Sequence, residues 1–223
     1  MKIQVAHRQA SPRTANLPSR ARSTLKNLAI VALLGFASLA VLRANATECV
    51  PGTLSDYEKL GAQGCQIGDK TFSNFQYQQG VNGLAADKIS ITPGTIPQTD
   101  EPGLFFEAKW IASQNSFVSY NVEALPQGKA ITGAGLEMKF GEVTGTGRAT
   151  VVLDLCQLQD NADSCRAQKL SLKVGLSANG FNTPVDKGQF QQPQSAVRVI
   201  TPIELTPGKA GSVSLDGFLS IVR

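Results

Sequence analysis

From residue 71 to the end of the chain, apolar and polar residues alternate in short runs separated by turn-forming clusters, and that two-residue period admits few folds. Alternation of this kind belongs to strands with one buried face and one polar face. The runs predict strands over Thr71 to Tyr77, Lys88 to Thr92, Gly103 to Ile111, Phe117 to Ala124, Ile131 to Phe140, Arg148 to Cys156, Lys169 to Leu176, Ser195 to Leu205 and Ser212 to Val222. Turn signals such as Thr92-Pro93-Gly94, Pro126-Gln127-Gly128, Gly145-Thr146-Gly147 and Thr206-Pro207-Gly208 lie between them. About nine strands at this spacing predict an all-β chain, an antiparallel β-sandwich or jelly roll.

The alternation also predicts a core. Val151, Leu153 and Leu155 share one face, as do Leu170, Leu172 and Val174, and Val197, Val199, Ile203 and Leu205. Trp110 falls in register with Phe106 and Ala108, so it reads first as a core aromatic and second as a ligand-stacking platform, with Tyr77 a further ligand-contact candidate. In Thr71 to Tyr77, strict alternation sets Phe72, Asn74 and Gln76 against Ser73, Phe75 and Tyr77. Aromatics on both faces imply a central strand or a bulge and not a flat sugar-binding platform. Helical spacing is confined to Leu54 to Leu60, where Ser55 and Glu58 predict a capping box.

The first 46 residues differ from everything after them. They hold seven Lys and Arg and no Asp or Glu, and LAIVALLGFASLAVL, Leu28 to Leu42, is free of charge. With Ala44-Asn45-Ala46 behind it, this pattern predicts a signal peptide cleaved after Ala46; a spanning helix needs about 20 apolar residues. Residues 47–223 are then expected to form a single secreted β-sandwich domain, with the short helix at its N-terminal end, after the signal peptide. That part carries 14 Lys and Arg against 17 Asp and Glu, so the basic balance of the whole chain belongs to the leader and nucleic acid is not an expected partner. No membrane association is expected after cleavage.

Cys49, Cys65, Cys156 and Cys165 all follow the leader, in a compartment where disulfides persist. Three pairings are possible, and the spacing favours the local ones, Cys49 with Cys65 and Cys156 with Cys165. The first would close a loop of about 15 residues, worth roughly 3 kcal/mol. The single histidine, His7, lies in the leader, which excludes Ser-His-Asp triads, Cys-His dyads and His-ligated metals from the exported part. Carboxylates suffice for glycoside hydrolysis, and Glu107, Glu123, Glu137 and Asp154 are candidates, although each also fits the polar face of its strand. Asp160, Asn161 and Asp163 offer oxygen ligands for calcium, or simply form a turn. No cofactor is expected.

Several short blocks resemble exported bacterial proteins of the PEP-CTERM type: Gly64-Cys65, Ile67-Gly68-Asp69-Lys70 with Phe72 and Phe75, then Ser119-Tyr120-Asn121-Val122, then Gly145-Thr146-Gly147 with the run to Cys156, and VITPIELTPGKAGSVSLDGFLSIV, Val199 to Val222. The resemblance implies an exported β-sandwich of exopolysaccharide-producing bacteria, attached to surface or matrix, without assigned catalytic residues. It departs at the end, where Arg223 follows the last strand without a Pro-Glu-Pro sorting tail, so a soluble secreted or periplasmic protein is expected. The function expected is that of a non-enzymatic surface or matrix protein, associated with exopolysaccharide or with its own copies; a carbohydrate- or ligand-binding module is the alternative, and a carboxylate hydrolase the third reading. N-terminal sequencing of the exported protein should begin at Thr47, and recovery of intact Met1 in membrane fractions would overturn the leader assignment.

Overall fold

The computed structural model describes residues 47–97, 99–111, 113, 115–158 and 170–223, which belong to one compact unit. Each of the nine alternating runs forms a strand, with ends within three residues of those the pattern predicts. In chain order the elements are β1 (Thr47–Glu48), β2 (Gly52–Thr53), α1 (Leu54–Lys59), β3 (Cys65–Ile67), β4 (Lys70–Gln79), β5 (Ser90–Thr95), β6 (Pro102–Ile111) and β7 (Ser116–Ala124). There follow β8 (Ile131–Val143), β9 (Arg148–Gln157), β10 (Leu170–Ser177), β11 (Gly180–Thr183), β12 (Val185–Gln194), β13 (Ala196–Thr206) and β14 (Val213–Val222).

Two sheets form the sandwich. Sheet A runs β1-β3-β4-β7-β13-β9-β10-β11 and sheet B runs β12-β8-β14-β6-β5-β2. All pairings are antiparallel except β1 with β3. The inward faces are those the alternation predicts: Val151, Leu153 and Leu155, Leu172 and Val174, and Val197, Val199, Ile203 and Leu205 are all buried, with Leu170 partly so. Each fully buried aliphatic side chain of this kind stabilises the fold by about 1.5–3 kcal/mol.

An aromatic ladder crosses the core from α1 to the inner face of sheet B. Tyr57 meets Phe75 edge-on at 5.0 Å, and Phe75 stacks on Tyr120 at 5.1 Å. Tyr120 lies 6.2 Å from Phe106 of the opposite sheet, Phe106 stacks on Phe218 at 4.9 Å, and Phe218 reaches Trp110 at 6.0 Å. At its centre the Tyr120 hydroxyl shares a 2.7 Å hydrogen bond with Ser220 Oγ, joining β7 of sheet A to β14 of sheet B. Both residues are buried, and burial pushes the Tyr120 phenol far above its ordinary pKa.

Phe75 joins this ladder because β4 is bulged. Asn74 takes φ +52°, its N–H donates to Gly61 O at 2.8 Å, and the register against β7 shifts between Ser73 and Gln76. Phe72 and Phe75, which strict alternation would send to opposite faces, therefore both enter the core. The short helix forms, but its cap lies two residues before Ser55. Thr53 Oγ1 accepts from Asp56 N at 3.2 Å, while Asp56 Oδ2 accepts from Thr53 N at 3.1 Å. The Cys49–Cys65 disulfide, spanning 16 positions, closes the loop that contains this helix.

The turn after β3 is held by charge. Asp69 Oδ1 pairs with the buried Lys70 ammonium at 2.6 Å, Asp69 Oδ2 accepts from Lys129 N at 2.7 Å, and Lys70 Nζ also donates to Lys129 O at 2.7 Å. Burial alone would raise the Asp69 pKa; the bonds from Lys70 and Lys129 outweigh it and hold the carboxyl below its ordinary range.

Two outcomes follow for stability. Tyr120→Phe leaves Ser220 Oγ buried without its partner and should cost about 1–3 kcal/mol in urea unfolding, whereas Tyr120→Phe with Ser220→Ala should recover most of it; equal losses in both variants would contradict the inter-sheet bond. Asp69→Asn should cost about 1–2 kcal/mol at neutral pH, allowing for screening at a carboxylate side chain 36% exposed. Because the folded pKa lies below the unfolded value of about 3.9, that contribution is present above pH 4 and lost as pH falls through the folded value. The gap between wild type and Asp69→Asn in unfolding midpoint should therefore close in acid, and a gap independent of pH would contradict the assignment.

Candidate functional site

The residues singled out by sequence separate on folding. Trp110 is fully buried against Phe218, which makes it a core aromatic and leaves it no face for a ligand. Tyr77 is half-buried: its hydroxyl donates to Leu84 O at 2.8 Å and lies 2.9 Å from Ser116 Oγ, and its backbone N–H donates to Glu58 Oε1 at 3.0 Å. It fastens the 77–84 segment and α1 to the sheet. Cys65 is held in the disulfide with Cys49, which makes the GCQIGDK stretch a structural clasp without a reactive thiol. Cys156 is also disulfide-bonded; Cys165, Asp160, Asn161 and Asp163 lie outside the described residues. Among the described residues no group of three or more His, Cys, Asp or Glu side chains gathers to hold a metal.

The four candidate carboxylates divide between the outer faces of the two sheets. Glu107 on β6 and Glu137 on β8 lie on the outer face of sheet B with β14 between them, while Glu123 on β7 and Asp154 on β9 lie on the outer face of sheet A with β13 between them. Strand spacing alone puts each pair of backbones about 10 Å apart laterally. Glu137 is further engaged by Lys139 at 2.7 Å.

What sequence reading missed is Phe140. It has the same parity as Ala134, Leu136 and Met138, all buried, so alternation assigns it to the core; it is instead 61% exposed. The cause is a register break shared by three adjacent strands. On β14, Leu215 faces Trp110 of β6 and Gly141 of β8, whereas Gly217 faces Glu107 and Phe140, and Phe218 faces Met138. Between these rungs Ala108, Lys109, Lys139 and Asp216 fall out of the ladder, and bulges of this kind re-aim side chains. Gly141 takes the inward place that Phe140 gives up: a Cβ there would lie 2.9 Å from Leu176 Cδ2 in the core. Gly217 is equally crowded, its Cβ position being 2.9 Å from the Phe105 ring. Glycines inside strands mark such places, and Gly141 and Gly217 were the signal available in the sequence.

The break opens a groove of about 550 Å³ on the outer face of sheet B. Phe140 supplies an apolar plane, and Lys109, Lys139, Glu142, Ser214 and Asp216 supply donors and acceptors around it. Glu142 faces Ser214 across the ladder, one diagonal from Asp216, and both carboxylates are exposed. Among the described residues no helix is long and apolar enough to cross a membrane.

No family model matches the chain, and no curated protein matches it. Among solved structures, it is similar to the carbohydrate-binding module TmCBM61 in complex with β-1,4-galactotriose, at TM-score 0.32 and 12% identity over 68% of this chain and 90% of that one. It is also similar to the enzymatically active domain of bacteriophage CBA120 tailspike protein 4, at TM-score 0.29 and 11% identity over 70% of this chain and 20% of that one. Endoglucanase 3 of Trichoderma harzianum, from family GH12, follows at TM-score 0.22 and 13% identity over 71% and 100% of the two chains. At this level of likeness neither ligand nor reaction passes to this chain.

Proposed function

We propose that this chain is a non-catalytic, exported protein of the cell surface or extracellular matrix that binds polysaccharide through the Phe140 groove. The observation that carries the reading is the exposed Phe140 ring, turned out of a paired strand and ringed by hydrogen-bonding side chains. A sugar presents an apolar C–H face and a polar hydroxyl rim, and an aromatic plane among donors and acceptors matches both. Export follows from the leader expected over residues 1–46, and is in keeping with the Cys49–Cys65 disulfide. The resemblance to PEP-CTERM-type proteins points to the same setting.

Self-association through strand edges is the less favoured route to a matrix. The edge strands β1 and β2 are two residues each and β11 is four. The remaining edge, β12, carries Lys187, Pro193 and a register break between Gln189 and Gln194. Short, charged or broken edges oppose pairing with another chain. A hydrolase reading would draw on Glu142 and Asp216, the exposed carboxylates that line the same groove.

A glycan array probed with wild type and Phe140→Ala, with and without calcium, tests the proposal. Wild type should retain at least one glycan, and Phe140→Ala should weaken it about tenfold or more, about 1.4 kcal/mol. Absence of any bound glycan, or equal binding by the variant, would overturn the reading, and release of reducing ends from a bound glycan would convert it to the hydrolase.

A further inference from the structure

A second groove, of about 540 Å³, lies where β9, β10 and β11 of sheet A meet Asp186 of β12. Its floor is set by register. On the outer face of sheet A, Arg148 pairs with Ser177, Thr150 with Gly175, and Val152 with Lys173. Two cations therefore stand at the two ends of a strip whose middle is Gly175. A Cβ at Gly175 would meet only Ala149 O, at 3.7 Å, so this part of the floor is bare but not crowded. The Cα positions of Arg148 and Lys173, four residues and one strand apart, are about 14 Å from each other.

The polar groups around the strip are arranged by a second irregularity. Gly175 faces Thr183 on β11 but Leu176 faces Phe181, so Asn182 drops out of the ladder and lines the groove with Thr183. Ser177 Oγ donates to Asn182 Oδ1 at 3.1 Å, which leaves the amide NH₂ as the donor end. The acidic groups are Asp186, which lines the groove with one oxygen, Oδ2, committed to Lys173 N at 2.8 Å, and Glu204, which stands across from Thr150 on β13. Neither Arg148 nor Lys173 makes an ion pair among the described residues. Both are exposed, on an exported part whose Asp and Glu outnumber its Lys and Arg, 17 to 14. Attraction for an anion must therefore come from this local pair and not from the protein's net charge.

We infer that this groove binds an acidic polysaccharide, with uronate carboxylates taken by Arg148 and Lys173 and the intervening sugar lying over Gly175. The guanidinium fork matches a planar carboxylate in two parallel bonds. Two separated cations with neutral donors between them suit a chain bearing carboxylates at intervals better than a single small anion. The site is distinct from the Phe140 groove and does not depend on that reading.

Isothermal titration of the exported protein with polygalacturonate, and with the same polymer fully methyl-esterified, tests the inference. Wild type should bind the acid form and not the ester, and its affinity should fall steeply with salt. Arg148→Gln with Lys173→Gln should weaken binding at least tenfold. Gly175→Leu, which fills the floor without changing charge, should do the same. Failure of wild type to bind polygalacturonate, equal binding of the ester, or undiminished binding by both the charge and the Gly175 variants would overturn the proposal.

Discussion

The hydrogen bond between Tyr120 and Ser220 is the point at which two sheets become one body. Each sheet is held within itself by backbone ladders, and the core between them is built mainly of apolar side chains whose packing has no direction. A buried phenol reaching a buried serine on the opposite layer adds direction: it is satisfied at one relative position of β7 and β14. The rings of Phe75, Phe106 and Phe218 pack around that fixed point, so the register of both sheets is referred to it.

The N-terminal segment is attached to the same assembly by three kinds of force. The disulfide limits how far the chain before β3 can stray, the Thr53–Asp56 cap orders the one turn and a half of helix, and Tyr57 extends the aromatic ladder outward from Phe75. None is strong in isolation, since a helix of six residues is not stable alone. Together they cover one end of the sandwich. At the opposite end of the motif, Asp69 and Lys70 lock the β3–β4 turn to the segment after β7.

The fold was legible wherever burial imposed a period. The strands around Val151, Leu172 and Val199 could be placed, and their inward residues named, because a buried apolar side chain recurs at almost every second position. β12 was not legible: VDKGQFQQPQ is an edge with few buried side chains, so burial writes no pattern into it. The helix was found but its cap was misplaced from Thr53 to Ser55, since two hydroxyls two residues apart, each with an acid three residues later, satisfy the same rule. The candidate sites were the least legible. Phe140 reads as core by parity, and only a break in pairing with β14, a property of three strands at once, turns it out. Arg148, Lys173 and Asn182 are brought together by registers that no local pattern encodes.

Carrying the exposed aromatic on a ladder, and not on a loop, has a thermodynamic consequence. The backbone of Phe140 is already fixed by β14, and Gly141 and Gly217 leave the break little room to relax. A partner laid against the ring meets a pre-organised plane, so little further conformational entropy is lost on contact. A single such contact on an open surface is brief. Repeated along a polymer it becomes cumulative, with retention set by how many planes one chain touches at once, and not by the strength of any one of them.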